Sequence, residues 1–120
     1  MYFHRFITEA AIHIRSFPVE TQKRIAFIQV MNGCSGDEVP YKGKPKEAKY
    51  DITKESPEWS AFRIETFALY AKLFDRTEPK ITLLFSGVTG DTEGEDDGKS
   101  GDEGKHEKEW KWVTANITGV

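Results

Sequence analysis

Apolar positions Phe3, Ile7, Ala10, Ile14 and Phe17 recur at steps of four and three, which predicts an amphipathic helix from Tyr2 to Phe17. Pro18 ends it, because the proline ring disfavours helical geometry in the residue before it. Within this stretch "AIHIR" alternates as a strand would, and Ile12 lies off the stripe. The run "RIAFIQVMNG" is evenly apolar, rich in β-branched and aromatic residues, and bounded by the turn pair Asn32-Gly33. It predicts a buried strand from Ile25 to Met31, with a second helix starting near Pro18 as the alternative. Residues 32 to 56 mix Pro40, Gly43 and Pro45 with five lysines and read as connection, with a short strand at "YDIT" as the one candidate element.

The clearest element begins at "SPEW". Ser56 suits an N-cap, Pro57 suits the first helical position, and Glu58 favours the positive end of the helix dipole. Trp59, Phe62, Phe67, Tyr70 and Phe74 follow at helical spacing, so Pro57 to Asp75 is expected to be a helix whose aromatic face packs on a sheet. "KITLLFSG" and "EWKWVTANI" both read as strands, Lys80 to Ser86 and Glu109 to Ile117, joined as an antiparallel pair. The expected fold is therefore α+β: one domain over residues 1–120, a small antiparallel sheet packed against one or two amphipathic helices, with residues 88–108 as a long, disordered, acidic hairpin loop. Apolar residues on both sides of the last strand (Trp110, Trp112, Val113, Ile117) would make it central or covered by a partner, and leave homo-oligomerisation open.

Charge sharpens this division. The 120 residues hold 17 Lys and Arg against 20 Asp and Glu, a formal net charge of −3. Without Val88 to Lys108 there remain 14 basic and 12 acidic residues, so a near-neutral body carries an acidic segment. No apolar side chain occurs from Thr89 to Lys108, and Gly90, Gly94, Gly98, Gly101 and Gly104 raise the entropy lost on ordering, so the segment has no means of folding by self-burial. Replacing it with a short turn is expected to leave the fold intact. A calcium-loop template started at Glu93 fails, because its twelfth position falls on Gly104 where a bidentate glutamate is required.

The candidate chemistry favours binding over catalysis. Asp91, Glu93, Glu95, Asp96, Asp97, Asp102 and Glu103 form a cluster able to meet a basic protein surface and to steer association. Tyr41, Lys42, Lys44, Lys46, Lys49 and Tyr50 offer phosphate-neutralising ammonium groups beside stacking rings, and Trp110 and Trp112, on one face of the predicted strand, would extend that surface. His4, His13 and His106 are scattered, and the lone Cys34 in "NGCSGDE" has no legible base or orienting partner. No metal site, cofactor motif or phosphate-cradling loop is present in the sequence, so neither metal nor cofactor is expected.

A single cysteine fits a reducing, cytoplasmic setting. Arg5, Glu9, His13 and Arg15 interrupt the N-terminal apolar residues, so this end reads as mature fold and no membrane partner is expected. The first functional expectation is a small non-enzymatic protein that binds another protein, a regulator or inhibitor of the kind carried by phages and mobile elements. The alternatives are a single-stranded nucleic-acid binder and a small enzyme built on Cys34 or a histidine.

Overall fold

The computed structural model describes residues 2–32, 46–47, 52, 56–85 and 107–117. Their elements are helix α1 (Tyr2–Arg15), one turn α2 (Val19–Gln22), strand β1 (Ile28–Val30), helix α3 (Pro57–Tyr70) continued by a π-helical turn (Ala71–Asp75), strand β2 (Leu83–Phe85) and helix α4 (Glu107–Asn116). The fold is mixed but mostly helical. Its sheet is two-stranded and parallel, with Ile28 beside Leu83, Gln29 beside Leu84 and Val30 beside Phe85.

Three sequence expectations are corrected by this arrangement. The sheet is parallel because its strands flank α3 in the chain, and a strand that returns through a helical crossover enters the sheet in the same direction. The stretch predicted as a strand from Glu109 to Ile117 is helical, since Glu109, Trp112, Val113, Asn116 and Ile117 recur at steps of three and four and bury one side. The acidic segment therefore joins a strand to a helix and is no hairpin tip, and any shortening of it has to stop before Glu107. With the last strand goes the argument for a partner that rested on its two apolar faces.

Other boundaries are refined. Pro18 does start a helix, but α2 lasts a single turn before the chain extends into β1, so both readings of residues 18–31 hold in part. Along α1 the buried centre is Ile7 and Ala11, with Phe3 and Ile14 beside them, while Phe17 falls on the exposed side. The predicted helix Pro57 to Asp75 is continuous, with Ser56 as N-cap and Pro57 at its start, and only its last turn departs from α geometry.

The α3 helix and its π turn are the hub on which α1, α4 and β2 all pack. Its apolar residues therefore spread around the axis, Phe67, Tyr70, Ala71 and Phe74 in the core with Leu69 and Leu73 partly buried. One cluster unites them with Ile7 and Ala11 of α1, Val30 and Leu83 of the sheet, and Val113 and Ile117 at the C-terminal end.

How the hub ends is set by hydrogen bonding. The last carbonyls of a helix lack intrahelical donors. Here Arg76 N bonds Ala71 O at 2.8 Å, the five-residue reach of a π turn, and Thr77 Oγ1 donates to Lys72 O at 2.7 Å. Ile81 N donates to Phe74 O at 3.0 Å, which ties the helix end to the approach to β2. The Leu73 carbonyl accepts from Arg15 of α1, through Nε at 3.2 Å and Nη2 at 2.9 Å. The same guanidinium reaches Pro79 O at 2.6 Å, Thr77 O at 3.1 Å and Gln22 Oε1 at 3.0 Å. Gln22, itself buried, returns hydrogen bonds from Nε2 to Arg15 O and Phe17 O.

Removing the guanidinium leaves these carbonyls without their donor. Arg15→Met is expected to lower stability by about 3 kcal/mol, the upper range for one charged hydrogen-bonding group. Arg15→Lys is expected to recover little, because an ammonium lacks the planar fork that spans Leu73 and Pro79. Urea unfolding followed by circular dichroism measures both, and equal stability of the three chains would remove the latch from the account.

Candidate interaction surface

Two kinds of group stand out once the core is assigned: charged side chains inside it and large apolar side chains outside it. The inner set centres on Arg63 of α3 and Glu109 of α4. Their side chains are only 1% and 3% exposed, with Arg63 Nη1 3.5 Å from Glu109 Oε1. The guanidinium also lies over the Phe67 ring, 5.4 Å from its centre. A buried charge needs a counter-charge, so this pair fixes how α4 docks on α3. A second pair, Lys80 Nζ to buried Asp75 Oδ1 at 3.1 Å, stands where the π turn hands over to β2.

His4 belongs to the inner set as well. Its ring stacks on Phe62 at 5.5 Å and Phe62 stacks on Trp59 at 5.5 Å, a short aromatic column between α1 and α3. Thr66 Oγ1 gives its single proton to Phe62 O at 2.9 Å. The same hydroxyl lies 3.0 Å from His4 Nε2, a hydrogen bond that ties α1 to α3. The ring thus joins the two helices, stacked on Phe62 and hydrogen-bonded to Thr66. Among the described residues no group of three His, Cys, Asp or Glu is placed to hold a metal ion.

The outer set lies largely in the first 31 residues. Tyr2 is 92% exposed and Phe6 66%, and the same side of α1 carries His13, whose ring meets that of Phe17, just past the helix end, edge to face at 5.1 Å. Tyr2, Phe6 and His13, spaced by four and seven residues, trace one strip along the outside of α1, with Phe17 just past its end and Ile12 further round the helix. Val19, Phe27 and Met31 are exposed beyond it. The sequence pattern hid this strip, because a helix with apolar residues on two sides reads as one broad stripe until the partner helix is known.

The residues nominated from sequence are distributed differently. Lys46 is exposed. Tyr41, Lys42, Lys44, Lys49 and Tyr50 lie outside the described residues, as do Asp91, Glu93, Glu95, Asp96, Asp97, Asp102 and Glu103, Cys34 and His106. Trp110 and Trp112 sit on α4, two positions apart on a helix, and do not share a face. Trp112 packs toward Phe67 with ring centres 6.2 Å apart, while Trp110 is exposed. Sequence reasoning missed Glu109 and Arg63; the four-residue steps from Glu109 through Val113 to Ile117 were the available signal. No helix among the described residues is long and apolar enough to cross a membrane.

Compared with protein-family models, with curated proteins and with solved structures, the chain matches none.

The inner pair carries a stability prediction. Glu109→Gln is expected to cost about 3–5 kcal/mol by removing the buried carboxylate charge that faces the Arg63 guanidinium. Arg63→Met combined with Glu109→Leu is expected to cost much less than the two single changes together, since an apolar pair needs no desolvated partner. A double-mutant cycle in denaturant checks this, and additive costs would show that the charges do not act as a pair.

Proposed function

We propose that the protein is non-enzymatic and acts by binding another protein, with the outward strip of α1 as its contact surface. The observation that carries this reading is the exposure of Tyr2 and Phe6 on one side of a helix whose other side is already packed into the core. Contiguous exposed aromatic residues mark interaction sites more often than they occur idly on a soluble surface, and Tyr and Phe are enriched in interface cores. The strip runs the length of α1, about 20 Å at 1.5 Å per residue, and suits an elongated apolar groove on the partner. Arg5 and Glu9, exposed along its border, supply a polar rim of both signs. In this reading the acidic segment is an auxiliary that attracts a basic partner and speeds encounter, while the aromatic strip supplies the affinity.

Intact chain, the Phe6→Ser variant and a chain shortened within residues 89–106 are to be compared, first for proteins retained from nuclease-treated lysate and then for affinity toward the purified partner. Phe6→Ser is expected to leave folding within about 0.5 kcal/mol, as an exposed substitution does, and to weaken partner binding about 30-fold, the effect of losing a 2 kcal/mol anchor. Loss of binding only in the shortened chain would transfer the contact to the acidic segment. Retention of nucleic acid from an untreated control lysate, with no specific protein from the treated one, would favour the single-stranded nucleic-acid reading through the Lys42 to Lys49 stretch.

A further inference from the structure

The hub takes the inward side of α1, and the outward side carries two kinds of residue side by side. Each residue advances about 100° round the axis, so Tyr2, His13 and Phe6 fall within roughly 40° of one another, with Glu9 and then Arg5 along one edge of the strip and Phe6 on the other. Arg5 and Glu9 are both exposed, and neither forms an ion pair with the other or with any other described residue. With the base nearer the N-terminus, the four-residue pair is the weaker of the two arrangements within one helix. We infer that in the free protein this strip is covered by α1 of a second copy, the two helices running antiparallel across a two-fold axis at the level of Ile7.

The charges select both the occupant and its direction. In a two-fold contact, residue i of one copy meets residue j of the other and j meets i. Ile7 lies midway between Arg5 and Glu9, so an axis at its level sets Arg5 of each copy against Glu9 of the other and makes two ion pairs by one placement. Parallel helices in the same register would instead set Arg5 beside Arg5 and Glu9 beside Glu9, and like charges facing each other oppose association. The aromatic residues fit the same axis. Phe6 is one residue from the midpoint, about 1.5 Å along the helix, so the two Phe6 rings meet on the edge away from the charges. Tyr2 comes level with Ile12 of the second copy and beside its His13, where the phenol tip finds a polar neighbour. A single helix face is a small interface, so the pair exchanges and gives way when another protein competes for the strip. This inference rests on the reading of the strip as a contact surface and names what occupies it before that protein binds.

The test is the mass of the purified full chain by light scattering up to about 1 mM, where even weak pairing populates a dimer, with folding checked by circular dichroism. Arg5→Glu, Glu9→Arg and the two changes combined are measured alongside the parent. The parent is expected to rise to a two-chain mass with concentration. Each single reversal is expected to raise the dimer dissociation constant about tenfold, as two exposed ion pairs become repulsions. The combined variant is expected to return to the parent value, because exchanging the two charges restores both pairs. Should one single reversal fail to fold, the other carries the comparison. A single-chain mass throughout would overturn the pairing and leave the strip to another protein, whose binding the lysate comparison judges separately. A dimer untouched by a folded single reversal, or one that the combined variant does not restore, would place the contact elsewhere and equally overturn it.

Discussion

The Arg15 guanidinium is the contact through which the three parts of the molecule are fixed to one another. It leaves α1, satisfies carbonyls at the end of the hub helix, reaches the chain approaching β2, and is steadied by Gln22 of α2. Without it the π turn would present helix-end carbonyls to a partly buried interface, a placement that native proteins avoid. Burial lowers the Arg15 pKa, since the charged form is the one that loses water, and the Glu78 carboxylate opposes that change. The ordinary guanidinium value lies so far above neutrality that the group stays charged. The latch is thus insensitive to pH in the range where proteins operate.

A hub helix surrounded on several sides solves a difficulty of small domains. With 120 residues and many of them polar, the chain cannot build two independent apolar layers. Packing α1, α4 and the sheet around one helix lets the same aromatic residues serve three contacts at once. The cost appears as charge in the interior: Arg63 occupies a hub position and requires Glu109 from the last helix to be tolerated there. Specific docking is the return, since α4 has one position in which its carboxylate meets that cation.

Much of the hub was legible because its signals were local. Pro57 at a helix start and aromatic residues at three- and four-residue steps depend on nothing elsewhere in the chain. The same holds for α1, where a stripe marked by Ile7 and Ile14 survived the competing alternation at "AIHIR". Strand pairing was illegible for the opposite reason, since Ile28 meets Leu83 across the whole crossover and nothing near either strand names its neighbour. The C-terminal helix was misread because Trp110 and Trp112 alternate with Lys111 and, with Val113, have high strand propensity, while the longer period through Glu109 and Ile117 includes a charged residue that a hydrophobicity pattern ignores. The interaction surface was missed because an exposed and a buried aromatic look alike until the neighbouring elements are in place.

The docking of α4 through Glu109 also imposes an order on biosynthesis. Arg63 is made well before its counter-charge, and more than forty residues separate the two in the chain. A nascent chain that has released α1, β1, α3 and β2 from the ribosome still lacks Trp112, Val113 and Ile117 among the described apolar partners of the hub, and lacks the Glu109 carboxylate that meets Arg63. The core therefore closes only when α4 brings Val113 and Ile117 onto the hub.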